Sequence, residues 1–241
     1  MKTSLKVLSQ ITISNRSQQF EETYGETLAI QEASAARLAI YLWTEDTRLG
    51  RFGGISIKFL DLDSPEGLIK TFLFDSDILM VEYCLPASKV KSAKDPEALF
   101  IEVISFILQS VATANQDEIK KLQTGTQKLL LHRNQLSIPF LAQQIKGYTA
   151  QVQIKLLEPE PNFCQVYLHL KDLNSGKVAV YLFAELAFME LHYLVGRITI
   201  KGETLTIGPR KLKLEDVYVQ RYIARGFDYP FRIPLASLDF K

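Results

Sequence analysis

The side chains best suited to nucleophilic, acid–base or metal-ligating work in this sequence are three histidines, His132, His169 and His192, and two cysteines, Cys84 and Cys164. A cysteine nucleophile needs a base within hydrogen-bond reach to take its proton, and a metal site needs several donors converging on one point, usually announced by two of them at short spacing. None of the five has such a neighbour in sequence. Cys164 could meet His169 or His192 only across folded strands. By alternation Cys164 shares a face with Val166 and Leu168, the position of a small buried thiol, whereas His169 falls on the opposite, polar face. His132 sits at an expected helix end, where a cation complements the dipole, and Cys84, between Tyr83 and Leu85, carries no mark of reactivity.

Other segments offer chemistry by composition. Gly50-Arg51-Phe52-Gly53-Gly54 suggests a phosphate cradle, but it lacks the Gly-Lys-Ser/Thr ending and precedes a strand pattern rather than a helix. Asp61, Asp63 and Glu66 crowd the turn Ser64-Pro65-Glu66-Gly67, where hard cations could bind, yet their spacing is not that of an EF-hand and an acidic hairpin tip is expected. The run Arg210-Lys211-Leu212-Lys213-Leu214 turns acidic at Glu215 and Asp216 and has no interleaved aromatics, so it reads as a solvated strand face rather than a nucleic-acid site. No catalytic, cofactor-binding or metal residue is assigned, and no cofactor is expected.

The C-terminal segment stands out instead. Phe227, Tyr229, Phe231, Ile233 and Leu235 occupy every odd position of a nine-residue stretch whose even positions hold Asp228, Pro230, Arg232 and Pro234. In extended conformation these five form one apolar face, and the prolines, which cannot donate a ladder hydrogen bond, confine the strand to a sheet edge or to a groove. The five are the candidate partner-binding residues, unless the tail docks as an edge strand on its own domain.

The elements that must position these residues follow from periodicity. Residues 5–13 read as a strand, and a Ser/Gln/Glu-rich stretch opens a helix near Gln18. Residues 36–43, 54–62, 68–74 and 78–85 read as a β-meander, each rich in Ile, Leu, Phe or Tyr and bounded by turn residues. Asp95 as N-cap, Pro96 at the first helical position and Glu97 beside the positive dipole end start a helix over residues 98–114 that is apolar almost all round. A second helix over residues 116–131, broken near Gly125, and a short third one over residues 138–146 follow. Strands return at residues 151–156 and 164–170; residues 178–195 read as one long strand; residues 197–201 and 204–207 form a hairpin around Gly202-Glu203; residues 212–223 add a strand. The fold class is α+β, with two β-rich, mainly antiparallel regions flanking a helical middle. The partition is residues 1–90, 91–148 and 149–241, or a single domain with one shared core.

Composition bounds the function. With 28 Lys and Arg against 27 Asp and Glu the net charge is +1, which gives no global attraction to nucleic acid or to a membrane surface. Locally the balance is uneven. Residues 20–82 hold 12 acidic and 5 basic side chains, and residues 196–241 hold 9 basic and 5 acidic ones, so the two ends could attract each other or a second copy. Two cysteines exclude a disulfide framework, the N-terminus has no apolar run behind its lysines, and the apolar stretch 98–114 is too short to span a bilayer and contains Glu102. A soluble, cytoplasmic protein is expected. Its expected function is non-enzymatic protein–protein interaction or assembly, with a protein partner or self-association. The alternatives are a binding protein for a hydrophobic small molecule or lipid held between the strands and helix 98–114, and an enzyme whose site is assembled from residues distant in sequence.

Overall fold

The computed structural model describes residues 7–8, 10–14, 24–74, 77–112, 116–133, 136–156, 163–210 and 215–241. The chain divides into two compact units, Met1–Leu136 with Glu158–Pro161, and Ser137–Leu157 with Asn162–Lys241. The expected helix near Gln18 and most of the basic run after Arg210 lie outside the described residues. Six of the eight strand pairings among the described residues are antiparallel, as an α+β chain of this pattern requires.

In the first unit, strand β1 (Gln10–Ile13) leads to helix α1 (Leu28–Thr44), then to β2 (Gly54–Leu60), β3 (Gly67–Leu73) and β4 (Ile78–Cys84). The sheet order is β1-β2-β4-β3: β1, β2 and β4 run parallel, and β3 is the antiparallel edge strand beside β4. The expected strand over residues 36–43 is therefore part of α1, and the expected meander is a mixed sheet built on a β1–α1–β2 crossover. The reason is burial. Every residue from 33 to 42 is buried, so the helix shows no polar stripe, and its helical preference rests on good helix formers such as the alanines at 33, 35, 36 and 39.

Helices α2 (Ala87–Ser92), α3 (Pro96–Val111) and α4 (Gln116–His132) complete this unit, with α3 and α4 packed on α1. The start of α3 is as its sequence requires: the Asp95 side chain accepts the Ala98 N–H at 2.9 Å, with Pro96 next in line. Helix α4 runs unbroken through Gly125. A Cβ there would lie 2.5 Å from Cδ1 of the buried Tyr41 ring, so glycine is what lets α4 approach α1.

The second unit begins with four antiparallel strands in chain order, β5 (Ile138–Ile145), β6 (Tyr148–Leu156), β7 (Phe163–Asp172) and β8 (Val178–Ala187). Helix α5 (Phe188–Leu194) follows, then β9 (Arg197–Lys201), β10 (Thr204–Gly208), helix α6 (Glu215–Ala224) and β11 (Phe231–Pro234), with β11-β10-β9 as a second sheet. The expected helix at 138–146 is strand β5. Its Leu, Ala and Gln residues favour helix, but β6 offers a ladder over seven of its residues, with a register shift at Phe140, and Ile138 and Phe140 are buried while Pro139 is exposed on this edge strand. The expected long strand 178–195 ends at Ala187, where Glu190 Oε2 accepts the Ala187 N–H at 3.2 Å and α5 begins. In place of a strand at 212–223 stands α6, whose Tyr218 and Tyr222, four residues apart, share a helix face. The hairpin at Gly202 is as expected, with Gly202 at φ +58°. Among the described residues no helix is long and apolar enough to cross a membrane.

Candidate functional site

The cysteines and histidines sit in settings that suit packing. Cys164 is buried in β7 and its Sγ donates to the Leu186 carbonyl at 3.4 Å. Desolvation, with Glu190 nearby, pushes its thiol up to about 12, so almost no thiolate exists at neutral pH. His192 on α5 lies edge-on to the Phe140 ring, and burial, aided by Arg210, lowers its pKa to about 4. His169 stays on the polar face of β7, where partial burial and Lys155 lower its pKa. His132 is exposed at the end of α4. Cys84 is buried, 3.5 Å from the Ser64 carbonyl.

The other sequence candidates are engaged locally. The N–H groups of Gly53 and Gly54 both donate to the Asp77 carbonyl, at 2.8 and 3.1 Å, which commits the glycine loop to the sheet. In the acidic turn, Asp61 accepts the Ala87 N–H at 3.1 Å, Glu66 pairs with Lys89 at 2.6 Å and accepts from Tyr83 at 3.2 Å, and Asp63 is exposed. The turn's carboxylates thus serve different partners. Among the described residues no cluster of three His, Cys, Asp or Glu is placed to hold a metal ion.

The tail closes on its own unit. Strand β11 pairs with β10 through Ile233 opposite Leu205 and Phe231 opposite Ile207, and both side chains are buried. Burial of two such side chains stabilises the unit by roughly 1.5–3 kcal/mol each. Tyr229 donates to the Leu194 carbonyl at 2.9 Å, and the Leu235 N–H donates to Glu203 O at 2.8 Å. Phe227 is the outlier at 50% exposed: its ring stacks on Tyr222 at 4.8 Å, with the Arg225 guanidinium 5.5 Å away. The five residues therefore do not share one open face. Alternation says only that something covers an apolar face, and for Phe231 and Ile233 that cover is the chain itself. Between this tail and β8 lies a cleft of about 350 Å³, lined by Tyr181 and Phe183 and by residues 228–233, whose Tyr229–Pro230 peptide is cis.

The largest departure from an ordinary surface is β3. Each of Leu68, Ile69, Lys70, Thr71, Phe72 and Leu73 is exposed, and so are Leu62 before the strand and Phe74, 71% exposed, after it. Thr71 and Leu73 stand opposite Val81 and Leu79, on the face where β4 is buried; Lys70 and Phe72 stand opposite Glu82 and Met80, on the other face. Large apolar side chains thus project from both faces of a seven-residue edge strand. Among the described residues no strand is bonded to its outer edge. Nearby on α3, Phe106 is 53% exposed and its ring packs edge-on against Tyr83, the β4 partner of Leu68.

Natural edge strands are blunted by charges, bulges, prolines or covering elements. Here the register shift between Leu68 and Lys70 and the single charge of Lys70 are the only such devices within β3, and neither protects residues 71–74. The composition of residues 68–74 marks a strand but not its place in the sheet. Its density of large apolar residues, interrupted only by Lys70 and Thr71, suits a strand covered on both faces, and that mismatch with an edge position is the signal. Compared with known proteins, the chain matches no family model, no curated protein and no solved structure.

Proposed function

We propose that this chain is a non-enzymatic interaction or assembly protein that binds polypeptide by adding a strand to the outer edge of β3. The observation that carries this reading is the exposure of Leu68, Ile69, Phe72, Leu73 and Phe74 along an edge that no strand among the described residues pairs. In strand addition, main-chain hydrogen bonds supply affinity and alternate side chains supply specificity. β3 offers both, with apolar residues on either face to grip a partner strand. The settings of Cys164 and His192 favour this over nucleophilic chemistry, because one is a protonated thiol and the other a buried neutral ring.

A photo-crosslinking residue at position 73 tests it. Crosslinks to polypeptide are expected there and not at the exposed Lys120 on α4, and a backbone-blocking Thr71→Pro in the same protein is expected to abolish them. Equal yields at positions 73 and 120 would reject the reading. A second reading, binding of a small apolar molecule, has less to carry it, because the cleft beside the tail exposes mostly polar surface. It does not use the space beside α3, whose Phe100, Ile101, Ile104 and Ile107 are fully buried in the first unit's core.

A further inference from the structure

Resting on the strand-addition reading, we infer that the polypeptide that fits β3 is β3 of a second copy, paired antiparallel about a two-fold axis through Thr71. Two edges related by such an axis form a closed, isologous contact, and residues facing each other across it project to the same face of the joined sheet. Only registers centred on a residue are then allowed, and their side chains discriminate sharply among them.

Centring on Lys70 places two ammonium groups directly opposite each other, which is destabilising. Centring on Ile69 falls on the register shift and leaves Phe72 and Leu73 without partners inside the strand. Centring on Phe72 sets Ile69 and Lys70 opposite residues beyond the end of the strand. Centring on Thr71 keeps Lys70, Thr71 and Phe72 on the regular part of the ladder with partners inside the strand, sets Leu73 opposite Ile69 at the register shift, and of the strand's side chains leaves only Leu68 opposite a residue past the strand end. Thr71 faces Thr71, Ile69 faces Leu73 twice, and Lys70 faces Phe72 twice.

The last pair has a precedent within the chain, because Lys70 Nζ already stands 5.2 Å from the centroid of its own Phe72 ring. In the joined sheet the second copy's Phe72 supplies another ring face to the same cation. Leu73 lies on the helix-side face, opposite Leu79, and the cation–ring pair on the other, so apolar side chains on both faces of β3 are covered at once. Lys70 thereby acts as a register key: it penalises the pairing one residue away and is accommodated in this one. A second copy thus fits the edge in charge, size and face, without any group outside the chain.

Two double variants test the pairing, each placing two charges at the same exposed positions. In I69E/L73E, position 69 of one copy would face a like charge at position 73 of the other. In I69E/L73K it would face an opposite charge. Within one chain these positions lie about 13 Å apart along the strand, so the two variants differ little as monomers. Melting temperatures are measured to establish that both fold. In sedimentation velocity over a concentration series the native chain and I69E/L73K are expected to dimerise, with I69E/L73E at least about tenfold weaker. A native chain that stays monomeric throughout, or two variants that associate equally, would overturn the pairing. If the chain is monomeric while position 73 still crosslinks to a different polypeptide, self-pairing falls and the interaction reading stands. If the chain is monomeric and position 73 crosslinks to nothing, both fall.

Discussion

His192 illustrates how a residue capable of chemistry is spent on structure. Its ring is buried beside Phe140 and near Arg210, so the neutral form is favoured in the folded chain, with a pKa of about 4 against 6.5 when unfolded. Between these values the unfolded chain binds a proton that the folded one does not. This contribution is therefore intact above about pH 6.5 and lost as pH falls toward 4, by an amount on the order of 3 kcal/mol. Denaturant melts of the native chain and of His192→Phe across pH 4 to 7 measure it. The variant is expected to lose stability less steeply, and equal slopes would refute the assignment. The inward thiol of Cys164 and the polar position of His169 were legible from alternation alone. His192 was not, because the ambiguous stretch around it was read as strand, and its burial depends on Phe140 and Arg210, both remote in sequence.

At the scale of elements, the helical layer of the first unit turns on a buried cation. Arg37 lies in the wholly buried part of α1, its side chain only 3% exposed, and pairs with Glu97 in the first turn of α3. Arg133, just past α4, pairs with Asp95 at 2.5 Å and reaches Glu97 at 3.7 Å, joining the three helices at one point. Removing Glu97 takes one ion-pair partner from this buried cation. Glu97→Ala is expected to cost about 1 kcal/mol or more, and the loss on adding Arg37→Met to be smaller than the sum of the two single losses, because both changes remove the same ion pair. Thermal denaturation of the single and double variants checks this, and additive losses would contradict it.

The start of α3 could be read from Asp95, Pro96 and Glu97 because a cap is a local device. Helix α1 could not, because a helix buried on every side loses the periodicity that marks it. Strand β5 was missed for the converse reason, since its Leu, Ala and Gln prefer helix and only the ladder offered by β6 overrules them. In α6 the tyrosines four residues apart were a helical signal, overlooked beside the β-branched and aromatic residues that favour strand.

For the molecule as a whole, sequence and structure point to different parts of the surface. The tail drew notice for its apolar alternation, yet its strand residues Phe231 and Ile233 complete the second unit's core. β3 drew none, because nothing in residues 68–74 says that β4 will insert between β2 and β3 and leave β3 at the rim. Position in a sheet is a property of topology, and here it leaves an ordinary apolar strand as an exposed edge, the one proposed above to dock polypeptide. Amide hydrogen exchange resolved to β3, followed in dilute protein and again at concentrations or with a crosslinked partner where association is seen, tests this most directly. The outward-facing amides of residues 68–73 are expected to exchange quickly when alone and to slow at least about tenfold in the associated state, while the amides of edge strand β5 stay unchanged. Exchange in β3 that is the same in both states would contradict the assignment of this edge as the binding surface.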